Sequence, residues 1–311
     1  MTRPVFRFAP SPNGRLHLGH AASALLNADL AHRMSGRLLL RMEDIDPGRS
    51  RPELAAAICD DLAWLGLRFD GAVRYQSEHL GTYRAQVMEF AARGLAYPCF
   101  CSRSVIAAAV GAEAAATRQA IPRDPDGAPF YPGTCRHLSD RDVSARLAAG
   151  QPHTWRLDMG RAMATAPGPH HVVTVEASPD AAVGVDVYPL PKAVGQGEAA
   201  DPARWGDAVI ARRDVPTSYH LAVVMDDAAQ GITHVVRGAD LRAATDLHVL
   251  LQALIAAPSP RYHHHPLIRD AHGDKLAKSR GSPALADLRA AGITPEAIRR
   301  ELGFRDVGFG A

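Results

Sequence analysis

The first hundred residues alternate short apolar runs with longer segments of helical periodicity, and this order constrains the fold more than any other feature. The runs VFRF (5–8) and RLLLRM (37–42) have the length of buried strands. Apolar residues recur at helical spacing from about 19 to 34, over 50–65 and over 78–93. Because strands that alternate with helices generally pair side by side, we predict an α/β fold with a doubly wound parallel sheet.

The pattern changes after about residue 96. The stretch 97–212 contains three of the four cysteines, an alanine-rich helical segment at 107–116, and strand-like runs at 153–159 and 170–176. A Pro/Gly-rich part within it is typical of surface loops. The sequence therefore predicts that the α/β sheet is interrupted by an inserted domain.

An α/β pattern resumes after residue 212. A strand is predicted at 232–238 and a helix at 241–257, whereas YHLAVVMDD (219–227) suits either a helix or a buried strand. The tract HHH (263–265) invites a metal interpretation, but we favour a loop leading into the basic segment that follows. The last forty residues have a helical pattern.

Length and composition narrow the class of protein. A chain of 311 residues suffices for two domains of ~150 residues each. The hydrophobic fraction of 47% and the charged fraction of 22% are ordinary for a globular protein. No secretory leader and no apolar run of ~18 residues is visible, so we expect a cytoplasmic protein with no membrane partner. A net charge of +2 neither requires nor excludes nucleic acid.

The segment HLGH (17–20) lies between the first strand and the first helix. A helix N-terminus offers unpaired N–H groups and a partial positive charge, so it suits a phosphate. Gly19 would let the backbone approach a ligand closely, and His17 and His20 could donate hydrogen bonds to phosphate oxygens in a transition state. On its own, the pattern fits two surface histidines beside a turn equally well.

The chain has only three lysines, and two of them lie four positions apart in DKLAKSR (274–280). An ammonium group is a flexible point charge that a planar guanidinium does not imitate. A loop carrying Lys275, Lys278 and Ser279 could fold over a triphosphate, although such a match alone favours a solvated basic turn. HLGH and KLAKS together shift the balance towards a nucleotide site.

Three cysteines, Cys99, Cys101 and Cys135, form a cluster in sequence. Clustered cysteines in a reducing compartment indicate metal or catalysis, and thiolates suit tetrahedral zinc. No fourth cysteine lies nearby, and ordinary zinc chemistry would choose His137 as the fourth ligand. The alternative is three reduced structural cysteines.

Four ordered segments, RFAPSPNGRLHLGH, RMEDID, VVRGAD and KLAKS, resemble the signatures of the glutamyl branch of class I aminoacyl-tRNA synthetases. HLGH resembles the HIGH motif and KLAKS the KMSKS motif, with Leu276 and Ala277 in place of methionine and serine. The chain ends about thirty residues after KLAKS. This length and the cysteine cluster are similar to the glutamyl-Q tRNA(Asp) synthetases, a family that attaches glutamate to queuosine in the anticodon loop of tRNA(Asp).

The resemblance implies a Rossmann-like catalytic domain and a division of the chain. It predicts a first catalytic half at 1–96, an inserted acceptor-binding-like domain with a zinc site at 97–212, a second catalytic half at 213–265, and the KLAKS loop with a helical region at 266–311. It implies no anticodon-binding domain. It assigns the fourth place at one structural zinc ion to Tyr131, which we favour over His137.

The resemblance also implies the ligands and their residues. Glutamate would be bound by Arg7, Phe8, Ala9, Pro10, Ser11, Glu43, Tyr219 and Arg237. ATP, with Mg²⁺ on its phosphates, would be bound by His17, Gly19, His20, Lys275, Lys278 and Ser279. The catalytic residues would be His17, His20 and Lys278.

The expected activity is formation of glutamyl-adenylate followed by transfer to tRNA(Asp) that carries queuosine, by a monomer. Besides another HxGH nucleotidyltransferase that would activate a different small carboxylate, two alternatives remain at this point. One is a truncated glutamyl-tRNA synthetase that charges a tRNA 3′ end. The other is a non-catalytic, zinc-containing RNA-binding paralogue, although such a binder has no need of both histidines and both lysines.

Overall fold

The parallel sheet predicted from the sequence is present. The computed structural model describes residues 3–118, 120–173, 197–267 and 283–304. Strands β1 (Val5–Phe8), β2 (Arg37–Met42) and β3 (Arg74–Tyr75) pair in parallel in that order. Strands β9 (His234–Gly238) and β10 (Arg261–His265) form a second parallel pair. The Thr233 amide donates to the Val5 carbonyl at 3.0 Å, which places β9 alongside β1.

Helices cover this sheet. The helices that alternate with or follow the parallel strands in sequence are α1 (Leu18–Arg33), α2 (Pro52–Trp64), α3 (Leu80–Ala92), α7 (Tyr219–Ala229) and α8 (Arg242–Leu254). Helix α1 is buried along most of its length, and its alanines let it pack closely against β1 and β2. None of the described helices combines the length and the apolar character that a membrane crossing requires.

A second, antiparallel sheet lies in sequence between the parallel strands β1–β3 and the parallel pair of β9 and β10. It consists of β4 (Ala96–Cys99), β5 (Thr154–Leu157) and β8 (Val209–Ala211), with β5 in the centre. The hairpin-like pair β6 (His171–Val172) and β7 (Glu198–Ala199) and the helices α4 (Arg103–Thr117), α5 (Asp140–Ala148) and α6 (Met159–Thr165) accompany it. The predicted strand at 170–176 is thus seen at 171–172, and its part beyond residue 173 lies outside the described residues.

The C-terminal helices α9 (Leu285–Ala290) and α10 (Pro295–Glu301) pack on the first core through buried Leu285 and Ile298. The Leu285 amide donates to the Leu16 carbonyl at 2.8 Å, and Ala284 forms a β-bridge with His17. The chain therefore returns to the start of α1 immediately after the segment 268–282, which lies outside the described residues.

Two local expectations are settled by these elements. The ambiguous segment 219–227 is helical and forms most of α7, in which Leu221, Ala222, Val223 and Val224 are all buried. The pattern was ambiguous because this helix is buried on most of its sides. The expected loop at 263–265 is wrong, since these histidines complete β10 beside β9. Tyr262 is fully buried there and anchors the strand.

Candidate active site

A cleft of about 1040 Å³ opens where the parallel strands end. Residues that follow β1, β2, β9 and β10 line it together with the start of α1, as expected for ligand sites at the carboxyl ends of parallel strands. The predicted site residues that line this cleft are Arg7, Phe8, Ala9, Pro10, Ser11, His17, Gly19, His20, Glu43, Tyr219 and Arg237. The sheet therefore brings together residues that are up to 230 positions apart in the sequence.

The two histidines of HLGH form the N-terminal cap of α1. His17 Nδ1 accepts from the Gly19 amide at 3.1 Å, and the His17 amide donates to His20 Nδ1 at 3.2 Å. Because both Nδ1 atoms accept, each neutral ring carries its proton on Nε2. The ring centroids are 3.9 Å apart. The cap thus fixes both rings in the tautomer that donates from Nε2.

Gly19 leaves room for the His17 ring. A Cβ atom at this position would lie 3.0 Å from Cε1 and 3.1 Å from Nδ1 of His17. These contacts are tighter than most Cβ contacts, so a larger residue would require the His17 ring to shift by a few tenths of an ångström.

A buried network of charged side chains holds Arg7 and Glu43, two of the residues predicted to bind glutamate. Asp227 Oδ1 accepts from Arg7 Nε at 3.2 Å and from Arg41 Nη1 at 2.7 Å, and Arg41 Nη2 donates to Glu43 at 3.3 Å. Burial opposes ionisation of Asp227, but Arg7 and Arg41 hold its pKa below the usual value. Burial raises the pKa of Glu43, and Arg41 and Arg7 oppose that rise. Arg41 is fully buried and is hydrogen-bonded to both Asp227 and Glu43. It therefore fixes the positions of these two carboxyl groups relative to each other.

Arg237 lies near the end of β9 and also lines the cleft. Its guanidinium donates to Thr245 Oγ1 at 2.8 Å, to His248 Nδ1 at 3.3 Å and to the Tyr219 hydroxyl at 3.4 Å. Burial raises the pKa of Tyr219, so the hydroxyl stays protonated. Among the described residues no hydrogen-bond partner is found for the buried Arg237 Nε.

Several residues of this site were not predicted from the sequence. Arg41 lies within the RMEDID segment, but only Glu43 was selected from it. Asp226 and Asp227 carried a usable signal, because two adjacent carboxylates in the apolar run YHLAVVMDD must be paired if the run is buried. His248 gave no comparable signal in the periodic helix 241–257.

A second cleft of about 880 Å³ adjoins the first and shares Ser11, Glu43 and Tyr219 with it. It extends to Cys101 and is lined by arginines from the antiparallel part of the chain. These are Arg103, Arg156, Arg212 and Arg213. An arginine-rich passage therefore leads from the first cleft towards the cysteine cluster; Asp46 and Asp214 also line it, and both pair with Arg212.

The three cysteines converge as the sequence pattern predicts for a metal site. The Sγ atoms of Cys99, Cys101 and Cys135 all lie within 4.8 Å of one another. The Tyr131 hydroxyl lies 3.9 Å from Cys101 Sγ and accepts from the Cys135 amide at 2.8 Å. His137, in contrast, is exposed. The donor set that the fold assembles is therefore three sulfurs with Tyr131 beside them.

Burial and the neighbouring Cys135 raise the pKa of the Cys101 thiol to about 11. A bound cation would reverse this preference, since a coordinating thiol loses its proton. Three sulfurs and one oxygen at the edge of an otherwise apolar cluster fit a tetrahedral zinc ion.

The predicted residues Lys275, Lys278 and Ser279 lie outside the described residues. The structure shows where the described residues on either side of this segment lie. Leu267 lines the first cleft, and Ala284 forms a bridge with His17. Leu267 at the cleft and Ala284 beside His17 are thus the described positions closest to these three predicted residues that the structure links to the cleft.

Comparison with known families gives a consistent result. The family model for the catalytic domain of class I tRNA synthetases (E and Q) matches residues 5–309. A glutamyl-Q tRNA(Asp) synthetase of Rhodobacter capsulatus is 45% identical over 96% of this chain and 99% of its own length. One of Symbiobacterium thermophilum is 38% identical over 96% and 85%. A glutamate–tRNA ligase 2 of Nitrosococcus oceani is 35% identical over 97% and 60%.

Solved structures share the fold. A glutamate tRNA ligase from Elizabethkingia meningosepticum, crystallised in complex with its amino acid, matches with a TM-score of 0.73 at 24% identity. A glutamate–tRNA synthetase from Elizabethkingia anophelis matches with a TM-score of 0.75 at 23% identity. Both matches cover 97% of this chain, which spans about 60% of the length of those solved chains.

Proposed function

Because the chain belongs to the glutamyl-Q tRNA(Asp) synthetase family of class I tRNA synthetases, we propose that it activates L-glutamate with ATP and transfers the glutamyl group to queuosine in tRNA(Asp). The observation that carries this proposal is the first cleft. There, two arginines and a buried carboxylate lie beside a helix N-terminus that is capped by two histidines.

The charges of the cleft complement those of glutamate. The substrate has two carboxylates and one ammonium group. Among the charged residues that line the cleft, we assign the guanidinium groups of Arg7 and Arg237 to the two carboxylates and the carboxylate of Glu43 to the ammonium group; Arg49, Arg51 and Asp240 line the cleft as well. A guanidinium fork matches a carboxylate in geometry as well as charge. Tyr219 adds a hydroxyl and an aromatic wall, and the segment Phe8–Ser11 brings the backbone to the same place.

ATP would bind with its phosphates at the start of α1. The helix terminus and the Nε2–H groups of His17 and His20 supply donors for phosphate oxygens, and Gly19 keeps the approach open. We assign Lys275, Lys278 and Ser279 to the same phosphates, with Mg²⁺ as their counter-ion. The support for this assignment is that residues 267 and 284, which flank the segment, both lie at the cleft.

The first step then needs little from the protein beyond placement. A glutamate carboxylate oxygen bonds to the α-phosphorus while the bond from that phosphorus to the bridging oxygen of pyrophosphate breaks. The products are glutamyl-adenylate and pyrophosphate. The carboxylate is already a nucleophile, so no protein base is required. Catalysis arises from alignment of the reactants and from donors that stabilise the charge on the phosphate.

In the second step an RNA hydroxyl attacks the glutamyl carbonyl carbon, and AMP leaves. The basic second cleft supplies a route for the nucleotide, since its arginines can contact phosphates on the way to Glu43 and Tyr219. Recognition of a modified base in a loop fits the way proteins read RNA, through exposed, unpaired nucleotides.

We also propose that Cys99, Cys101, Cys135 and Tyr131 hold one zinc ion. All four side chains contribute to a closed site, which is typical of structural rather than catalytic zinc. The ion would hold the segments around residues 99 and 135 together next to the second cleft.

A second candidate function is charging of a tRNA 3′ end. The 35% identity to a glutamate–tRNA ligase 2 favours it. Both candidates share the first step and differ in the acceptor, so they can be separated by the RNA that accepts glutamate.

The test has two stages. We expect the purified protein to catalyse exchange between pyrophosphate and ATP that depends on glutamate, and absence of exchange would support a non-catalytic binder instead. Radioactive glutamate is then offered to tRNA(Asp) in three forms: intact, trimmed of its 3′-terminal adenosine, and lacking queuosine. We expect label on the first two forms only. Label that requires the 3′ adenosine and ignores queuosine would instead establish 3′ charging.

A further inference from the structure

We propose that His248, supported by His220, is a positioning residue that orients Arg237 for a substrate carboxylate without neutralising its charge. The inference rests on the proposed function, because it assumes that Arg237 binds glutamate. It begins from a buried chain of hydrogen bonds. His220 Nδ1 lies 3.1 Å from His248 Nε2, and His248 Nδ1 lies 3.3 Å from both Nη atoms of Arg237.

The direction of this chain is fixed by chemistry. A guanidinium can only donate, so His248 Nδ1 must accept from Arg237. His248 therefore carries its proton on Nε2 and donates it to His220 Nδ1. His220 in turn carries its proton on Nε2, which lies 4.0 Å from a carboxylate oxygen of Asp126. Only one arrangement of protons satisfies all three side chains.

Both histidines are neutral in the folded protein. Burial lowers the pKa of His220 to about 4, and the positive charge of Arg237 lowers it further in the same direction. Burial, then Arg237 and His220, lower the pKa of His248 well below its usual value. Neutral rings are what the hydrogen-bond directions require, since a doubly protonated His248 would have no acceptor for Arg237.

Neutral acceptors also make up the rest of the environment of Arg237. Its other partners are Thr245 Oγ1, the Leu241 carbonyl and the Tyr219 hydroxyl. Within residues 3–118, 120–173, 197–267 and 283–304, no carboxylate forms an ion pair with it. Arg7 differs, because its guanidinium is paired with Asp227.

This contrast explains why a histidine occupies position 248. A carboxylate there would hold Arg237 equally well but would offset part of its charge before the substrate arrived, as Asp227 does for Arg7. A neutral imidazole holds the guanidinium and leaves that charge for an anionic ligand. The substrate class that follows is an amino acid whose carboxylate meets Arg237.

Three variants at His248 test the role, with glutamate-dependent pyrophosphate exchange as the readout. His248→Gln keeps one acceptor and one donor, so we expect the KM for glutamate to stay within about threefold. His248→Leu removes the acceptor, and we expect that KM to rise roughly tenfold. His248→Glu places a carboxylate beside Arg237, and we expect a larger rise, on the order of a hundredfold. The kcat and the KM for ATP should stay within about threefold, because the loss concerns glutamate binding alone.

Two further variants complete the design. His32→Leu, at an exposed histidine on α1, is the matched control. His220→Phe keeps a ring but removes the acceptor for His248, and we expect the KM for glutamate to rise about threefold. If His248→Leu does not fold, His220→Phe still tests the inference. His220 lies nearer the surface than His248, so the fold should tolerate its replacement better.

The outcomes separate the two proposals. A wild-type protein without glutamate-dependent exchange would overturn the proposed function. A wild-type protein that exchanges, with an unchanged KM for glutamate in His248→Leu and His220→Phe, would overturn this inference alone. A drop in kcat or a matching rise in the KM for ATP would also count against it, as would equal effects of the glutamine and leucine variants, because a general packing role predicts these results.

Discussion

Arg41 shows how a single buried charge can hold a site together without touching the cleft. It is fully buried, donates to Asp227, Glu43 and Gln230, and lies 3.9 Å from Asp226. Since Asp227 also pairs with Arg7, the position of Arg7 depends on Arg41. Removing one member of such a network leaves the others as buried charges without compensation.

Replacing Arg41 should therefore be costly. We expect Arg41→Met to lower the free energy of unfolding by about 3–5 kcal/mol, measured by urea denaturation. The matched control is Arg161→Met, because the Arg161 side chain is 69% exposed in its ion pair with Asp158. That change should cost less than about 1 kcal/mol. Equal effects of the two substitutions would contradict the structural role of Arg41.

The sequence predicted the residues that line this cleft better than the buried residues that hold them in place. Arg7, Glu43, Tyr219 and Arg237 were selected through a resemblance of segments, and all four line one cleft. Their roles stay predictions. Arg41 lies in one of these segments but was not selected, and His248 lies in none of them; the supporting role of each depends on contacts between elements that are distant in sequence. Such contacts are determined by how the sheet and the helices pack together. The hydrophobic periodicity of one segment carries no information about that packing.

At the scale of elements, the start of α1 combines a structural and a chemical task. His17 is the N-cap residue, a position where serine, threonine, aspartate and asparagine are preferred because their side chains accept from the helix backbone. Here the acceptor is an imidazole nitrogen, which leaves a second nitrogen in the same ring as a donor. An aspartate cap could not donate to phosphate.

Substitutions at His17 should separate these tasks. We expect His17→Asn to keep the cap and to retain stability within about 0.5 kcal/mol, whereas His17→Ala should cost about 1 kcal/mol. Both should reduce pyrophosphate exchange by about 100-fold, because each removes the Nε2–H donor. Urea denaturation and exchange assays on the same preparations provide the two measurements. Full exchange activity in His17→Asn would show that His17 only caps the helix.

The cysteine-bearing loops offer a second test at this scale. We expect the purified protein to contain about one zinc per chain by elemental analysis, and chelation should lower its melting temperature. Cys101→Ser should lose the metal, while Cys59→Ser should keep it, because Cys59 packs against the first core, apart from the cluster. Equal metal content in the two variants would contradict the proposed site. Loss of metal in Tyr131→Phe but not in His137→Ala would identify the fourth ligand.

Elements were predictable where the apolar pattern was unambiguous. The strands at 5–8 and 37–42 were predicted with their observed bounds. The segment 219–227 was ambiguous because a helix buried on most sides and a buried strand both give continuous apolar runs. The tract 263–265 was predicted as a loop because it directly precedes PLI and leads towards the KLAKS segment. Its pairing with β9 and the burial of Tyr262 instead make it part of a strand.

At the scale of the whole molecule, burial of neutral histidines links stability to pH. Burial lowers the pKa of His220 and of His234 to about 4, and that of His264 to about 2. In the unfolded chain a histidine binds its proton near pH 6.5. Between pH 6.5 and 4 the unfolded state therefore holds more protons than the folded state. Stability is complete above pH 6.5 and falls as the pH falls through this window.

Buried carboxyl groups act in the opposite direction over part of the same range. Burial raises the pKa of Glu43, Asp29 and Asp61, so the folded state takes up protons at these groups before the unfolded state does. The net slope is thus a difference, and a single variant isolates the histidine contribution better than the wild-type curve does. His234 suits this purpose because it stacks on Phe6 in the core and lies outside the first cleft.

We expect the free energy of unfolding, measured in urea at pH 8, 7, 6 and 5, to fall as the pH falls below about 6.5. Each buried histidine adds up to about 1.4 kcal/mol per pH unit to this slope. His234→Gln should therefore reduce the slope between pH 6 and 5 by about that amount, whatever it does to stability at pH 8. His32→Gln, at an exposed site, should leave the slope unchanged. If the two variants shared the wild-type slope, His234 would have to titrate alike in the folded and unfolded states, and its burial as a neutral ring would be refuted.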